Sequence, residues 1–171
     1  MLLRKVVCTK YSFAPVIDKK SKVLILGSLP GMRSLMDNEY YANAHNSFWK
    51  IMFCVFERPF SFDYSLKLRL LTDNGIALWD VIKCAERAGS CDSNIKDAIP
   101  NEIPDLLNEN PAISSVLFNG TFAFSGYKKF FGRPNLPYEV LLSTSPACAG
   151  REKEKTEMWK KTVRRALRGE L

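Results

Sequence analysis

Histidine occurs once in this chain of 171 residues, and its five cysteines (8, 54, 84, 91 and 148) form no CxxC pair and no Cys/His cluster. A zinc or iron–sulfur centre is therefore not expected, and His45 cannot hold a metal alone. The odd, scattered set of thiols reads as free and intracellular. The lone imidazole also leaves no serine with a base to activate it, so no Ser-His-acid triad can form. GSLPG at 27–31 is not GxxxxGK[ST], so there is no P-loop, and no GxGxxG follows a strand. No lysine stands out as a Schiff-base nucleophile. No apolar run approaches the length of a membrane span, and Met1–Lys10 lacks the core of a signal peptide. The expectation is a cytoplasmic protein without cofactor or membrane partner. Internal repeats, linkers and low-complexity segments are absent too, which leaves 1–171 as one domain.

The composition fits a folded globule, with 46% hydrophobic and 12% aromatic residues. The net charge is +7 and the pI about 9.2, a balance that favours phosphate-rich partners. Part of that excess belongs to a C-terminal helix and also suits a solvated face.

Val23–Leu26 is an aliphatic run of the kind buried in a parallel sheet, and Pro30-Gly31 is a turn signal beyond it. The eighteen residues from Ser28 to His45 exceed the usual connection, so they hold a function or a hidden local helix. Asn46 stands where an N-cap belongs, before a helix carrying Phe48, Trp49, Met52, Val55 and Phe56. Asp63–Thr72 reads as a further helix, although Leu66, Leu68 and Leu70 also alternate like a strand. Lys5–Ile17 reads as a mixed strand-and-turn entry, Ile76–Trp79 as the second strand with Asp80 at its end, and Cys84–Ile99 as a polar, irregular stretch. Helices are expected at Glu102–Asn108, Phe122–Phe131 and Glu152–Leu167, and strands at Ser115–Phe118 and Glu139–Leu142. Strands alternating with helices give an α/β three-layer sandwich, its central, mainly parallel four-stranded sheet flanked by helices.

On that architecture, Ser28 and its loop, Asp80, Asn119 and Ser143-Thr144-Ser145 collect at the carboxyl ends of four strands, where α/β proteins place ligands. Asp80 caps the following loop or orients a water. Amides, hydroxyls and aromatics without an acid–base triad suit recognition of a planar heterocycle: an amide pairs with its edge and an aromatic stacks on its face.

The segments GSLPG, YYANAHNSFW, GIALWDV, RAGSCDSNI, LFNG and STSPA, spread over Val23–Gly150, resemble the uracil-DNA glycosylase superfamily. They are nearest in pattern to its hypoxanthine-DNA (deoxyinosine) glycosylases. The resemblance implies a DNA glycosylase of base excision repair that flips a deaminated base out of double-stranded DNA. Such an enzyme hydrolyses the N-glycosidic bond through an oxocarbenium-like transition state, with no cofactor, and is expected to be monomeric. Hypoxanthine is the implied base. Mispaired uracil or xanthine, and a module that kept the fold but lost catalysis, remain open alternatives.

Leu29 stands where mismatch-specific relatives keep a catalytic Asn, and Ser145-Pro146-Ala147 replaces a His-led motif. Both departures fit the hypoxanthine branch, in which the Asn of the NxFW segment is the implied catalytic residue and maps onto Asn46. On the sequence alone, that residue also reads as a plain helix cap, and the two roles need not exclude each other. Ser28, at the strand end, is the second catalytic candidate. For the base, the resemblance implies stacking on Tyr41 and edge recognition by Asn119, with Leu29 and Asn43 lining the pocket; Tyr40 reads as structural. Ser143, Thr144, Ser145, Pro146, Ala147, Cys148 and Arg151 would meet DNA, the segment to Gly150 wedging the duplex and Lys153 and Lys155 adding phosphate contacts.

Overall fold

A computed structural model of the protein describes residues 9–171. The start of the expected entry segment, most of Met1–Lys10 and Cys8 lie outside the described residues. In chain order the elements are β1 (Lys10–Tyr11), β2 (Val23–Gly27), α1 (Met32–Asp37), α2 (Phe48–Val55), α3 (Tyr64–Asp73), β3 (Ile76–Asp80), β4 (Ile82–Arg87), β5 (Ile95–Pro100), α4 (Ile103–Glu109), β6 (Ser115–Asn119), α5 (Thr121–Phe131), β7 (Tyr138–Leu141) and α6 (Glu152–Leu167). Short 3-10 turns occupy Asp92–Asn94 and Pro146–Cys148.

The four expected strands form one parallel sheet in the order β3-β2-β6-β7. β2, β3 and β6 are nearly unbroken apolar runs because both of their faces are covered, whereas the edge strand β7 exposes Glu139 and is fully buried only at Leu141. Along β2, Val23 and Ile25 join a core with α2, α3 and α6, whereas Leu24 and Leu26 join a second core with β4, α4 and α5. In register, Gly27 sits opposite Asp80 and Asn119 opposite Leu141, which brings the polar strand ends together.

Trp159, Val163 and Ala166 bury the expected stripe of α6, and the Trp159 indole donates to the Leu142 carbonyl at 2.9 Å. That bond ties the last helix to the segment following β7. Asp63 caps α3, its carboxylate accepting from the Ser65 and Leu66 amides. The overlong loop does contain a helix, α1, which shortens its irregular part.

Three expectations need correction. Cys84–Ile99 is not irregular: β4 and β5 form an antiparallel hairpin, joined by β1 in a second, three-stranded sheet. Register shifts around Cys84 break the alternation that would have revealed it. Helix α2 begins at Phe48 with Ser47 in the cap position, and Ser47 makes no side-chain cap bond. Asn46 instead reaches in from one residue earlier, its Oδ1 accepting from the Phe48 amide at 2.9 Å. Among the cysteines, Cys54, Cys91 and Cys148 carry exposed free thiols. Cys84, buried on β4, is disulfide-bonded, a pairing that no spacing in the sequence announces.

Candidate functional site

The carboxyl ends of β2, β3 and β6, with the segment after β7, frame a cavity of about 140 Å³. One wall is Gly27-Ser28-Leu29-Pro30, and it is held by backbone atoms. Arg87 at the end of β4 is 3% exposed, and its guanidinium donates to the Leu29 carbonyl at 3.3 Å and to the Pro30 carbonyl. The same guanidinium lies 3.5 Å from Asp92, whose other oxygen accepts from the Ser28 hydroxyl at 2.7 Å. Burial pulls the Arg87 pKa down, opposed by Asp92 and Asp80, and burial pushes the Asp92 carboxyl up. The hairpin thus supplies the clamp that shapes the first loop.

The facing wall is a hydrogen-bonded brace. The Asn119 amide donates to the Tyr41 hydroxyl at 3.0 Å and to the Thr144 hydroxyl at 2.8 Å, and its oxygen accepts from the Thr144 backbone amide at 2.9 Å. Those three contacts fix the amide's orientation and use both of its hydrogens. The Thr144 carbonyl in turn accepts from the Ser47 amide at 3.0 Å, which anchors the start of α2 to the same point. Tyr41 stacks on Phe48 with ring centroids 4.2 Å apart, and it holds φ at 54°, in the left-handed region. A non-glycine residue kept there stores of order 1 kcal/mol or more of strain, a common feature of functional positions.

At the floor, Gly27 has no side chain because none would fit. An added Cβ would stand 2.6 Å from Asp80 Oδ1 and 2.8 Å from the Tyr41 hydroxyl. Asp80 is 4% exposed, and its Oδ2 accepts from the Ser12 hydroxyl at 3.1 Å. Burial is the main cause that pushes its pKa up to about 7; Asp92 adds to the rise, while the Ser12 bond and Arg87 oppose it. Burial and the Asp80 charge likewise keep the Tyr41 phenol protonated. Among the described residues, no cluster of His, Cys, Asp or Glu could hold a metal ion, and no helix is long and apolar enough to cross a membrane.

This geometry lies within the span of a protein-family model, that of the uracil DNA glycosylase superfamily, which matches residues 14–168. The chain belongs to the uracil DNA glycosylase superfamily. It is 34% identical to a hypoxanthine DNA glycosylase of Methanosarcina barkeri over 157 residues, covering 91% of this chain and 99% of the relative. A hypoxanthine DNA glycosylase of Methanosarcina acetivorans is also 34% identical, over 91% of this chain and 98% of the relative. The solution NMR structure of a candidate uracil DNA glycosylase from Methanosarcina acetivorans superposes with a TM-score of 0.79 at 33% identity, covering 92% of this chain and 98% of that one.

The cavity of this superfamily member gathers most of the residues singled out from sequence: Ser28, Leu29, Tyr41, Asn43, Asn46, Asn119, Ser143, Thr144, Ser145 and Pro146 all line it. Their local roles differ in part from expectation. The Ser28 hydroxyl donates its proton to Asp92, the carboxylate that the Arg87 guanidinium also faces. Asn119 has no amide hydrogen left for a base edge. Thr144 is 1% exposed and braces the site from inside rather than meeting DNA. Asn43 folds its own turn by accepting from the His45 amide at 2.9 Å. Asn46 keeps its amide NH2 without a protein partner among the described residues.

Ala147, Cys148 and Arg151 lie outside the cavity, exposed on the 3-10 turn and the start of α6. Arg151 pairs there with Glu154. Lys155 is 1% exposed and donates to the Cys148 carbonyl at 3.1 Å, so it fastens the turn to the helix instead of contacting phosphate. Sequence reasoning missed Arg87, Asp92 and Ser12. The only signal for the first two was their place in the RAGSCDSNI segment, and nothing in the sequence marked Ser12.

Proposed function

We propose that this protein is a monofunctional DNA glycosylase that takes hypoxanthine out of double-stranded DNA and hydrolyses its N-glycosidic bond, opening base excision repair. The observation that carries this reading is the cavity that brings amides, hydroxyls and the stacked Tyr41 ring together, in a chain one-third identical to two hypoxanthine DNA glycosylases along nearly their whole length. In this reading the flipped base stacks on Tyr41, whose opposite face rests on Phe48, at a gain of roughly 1–3 kcal/mol. Asn46 positions the attacking water with the amide group that its capping bond leaves over. Ser143, Ser145, Pro146 and the turn to Cys148 meet the DNA backbone, and Arg151 neutralises phosphate once it exchanges its surface partner Glu154. The protein works as a monomer inside the cell, at the chromosome.

Uracil is the competing substrate, favoured by the description of the superposed Methanosarcina acetivorans structure. Labelled duplexes containing hypoxanthine, uracil or xanthine, incubated with the protein and then cleaved with alkali, separate these outcomes. The expected result is strand scission at hypoxanthine that requires the alkali step. Preferential scission at uracil, binding without scission at every lesion, or a covalent adduct trapped by borohydride would each sink the proposal.

A further inference from the structure

Asp80 is a carboxyl group in a place where charge is poorly tolerated. It is 4% exposed, it borders the cavity, and among the described residues no cation lies within ion-pair distance of it. Its Oδ2 meets the Ser12 hydroxyl, while Oδ1 receives no protein donor among the described residues and crowds the end of β2 beside the Tyr41 hydroxyl. The groups facing it are Tyr40 and Tyr41 from the first loop, Arg87 from β4 and Asp92 from the 3-10 turn. Both phenols are neutral, and Arg87 and Asp92 pair with each other, so no net charge compensates an ionised Asp80. A desolvated carboxyl in that position keeps its proton and becomes a hydrogen-bond donor.

Glycoside cleavage makes use of such a donor. The bond from C1′ to the base breaks with its electron pair going to the base, and the new charge needs a proton or a fixed dipole. Two neighbouring donors are already spoken for: both Asn119 amide hydrogens are spent and the Ser28 proton is held by Asp92, and the amides and hydroxyls left over around the cavity can offer a dipole but are too weakly acidic to yield a proton. The Tyr41 phenol is too weak an acid to release its own.

We propose that Asp80 is the acid of this site: its neutral carboxyl donates from Oδ1 to an acceptor atom of the flipped base and yields that proton as the base departs. Water adds to C1′, and the proton it loses restores the carboxyl through solvent, so one water is consumed per base released. The proposal rests on the glycosylase reading above.

Single-turnover cleavage by the wild type and by Asp80→Asn tests it, on duplexes carrying hypoxanthine or N7-methylhypoxanthine, from about pH 5.5 to about pH 9. At the acidic end of that range the N7-methylated base keeps its N1 proton, carries positive charge and departs neutral without an acid. On hypoxanthine, the wild-type rate is expected to fall roughly tenfold per unit above about pH 7, whereas Asp80→Asn is about a hundredfold slower at low pH and shows no such decline. On the methylated base at about pH 5.5 the two proteins are expected to agree within about threefold, which also establishes that the variant is folded. Equal slowing of both bases by Asp80→Asn, an unchanged variant profile, or a wild-type rate that rises with pH would overturn this inference alone. A wild type inactive on hypoxanthine overturns the functional reading and this inference with it.

Discussion

Replacing Asn119 with leucine separates a brace from a base reader. The side chain makes three hydrogen bonds at 2.8–3.0 Å, to the Tyr41 hydroxyl and to both the hydroxyl and the backbone amide of Thr144. Leucine has a similar shape but removes all three. The Thr144 hydroxyl can rotate and the half-buried Tyr41 hydroxyl can find water, but the amide of Thr144, a residue 1% exposed, is left unpaired. An orphaned buried donor costs about 1–3 kcal/mol, and each lost bond adds about 0.5–1.5 kcal/mol. A total near 3 kcal/mol lowers the melting temperature by roughly 6–12 °C in a protein of this size. Urea unfolding followed by far-ultraviolet circular dichroism measures it. Thr144→Val removes one of the same bonds, so the double variant should fall short of additivity by about 0.5–3 kcal/mol. If Asn119→Leu loses cleavage while its stability stays within about 0.5 kcal/mol of the wild type, the residue reads the base and the brace argument is wrong.

Asn46→Ser keeps an oxygen for the Phe48 amide, so stability should change by less than about 1 kcal/mol while cleavage drops at least a hundredfold, roughly the scale of one lost positioning group; wild-type kinetics in a stable variant would make Asn46 only a cap. Arg87→Met deletes two charge-assisted bonds to loop carbonyls, each worth about 1.5–3 kcal/mol, and should speed amide hydrogen exchange at Ser28–Gly31 before any global unfolding; unchanged exchange there would refute the clamp. Asp80, with its pKa raised from 3.8 to about 7, holds a proton in the folded protein that the unfolded chain has already released. Stability should therefore fall as pH rises through that window and level off above it, a decline that Asp80→Asn removes; parallel urea midpoints for the two proteins at every pH would contradict the assignment.

Three strands of the parallel sheet were legible because VLIL, IALW and SVLF have to be apolar on both faces, and the edge strand was legible from the short aliphatic run of EVLL before a turn. Helix α6 was legible for the opposite reason, since Trp159, Val163 and Ala166 make one apolar stripe in an otherwise charged segment. The gathering of Ser28, Asn119 and Ser143–Ser145 follows from parallel strands sharing one carboxyl edge. Which hydrogens those residues still have to offer did not follow from sequence, because Asn119 and Thr144 meet only after β6 and β7 pair. The β4–β5 hairpin was hidden by its register shifts, and with it Arg87, which in sequence looks like any surface arginine. Lys155 misled for the same reason: its ammonium group finds a carbonyl on a turn seven residues back.

The clamp on the first loop grips carbonyl oxygens, and every amino acid has one. Arg87 would hold the backbone at position 29 equally well whether the side chain there were an amide, a hydroxyl or an aliphatic group. The loop can therefore exchange one chemistry for another at that position without refolding. Leu29, standing where mismatch-specific members of the superfamily keep a catalytic asparagine, is the kind of substitution that such a support allows. A scaffold held by its main chain lets the reactive group be relocated within the cavity while the cavity itself stays the same.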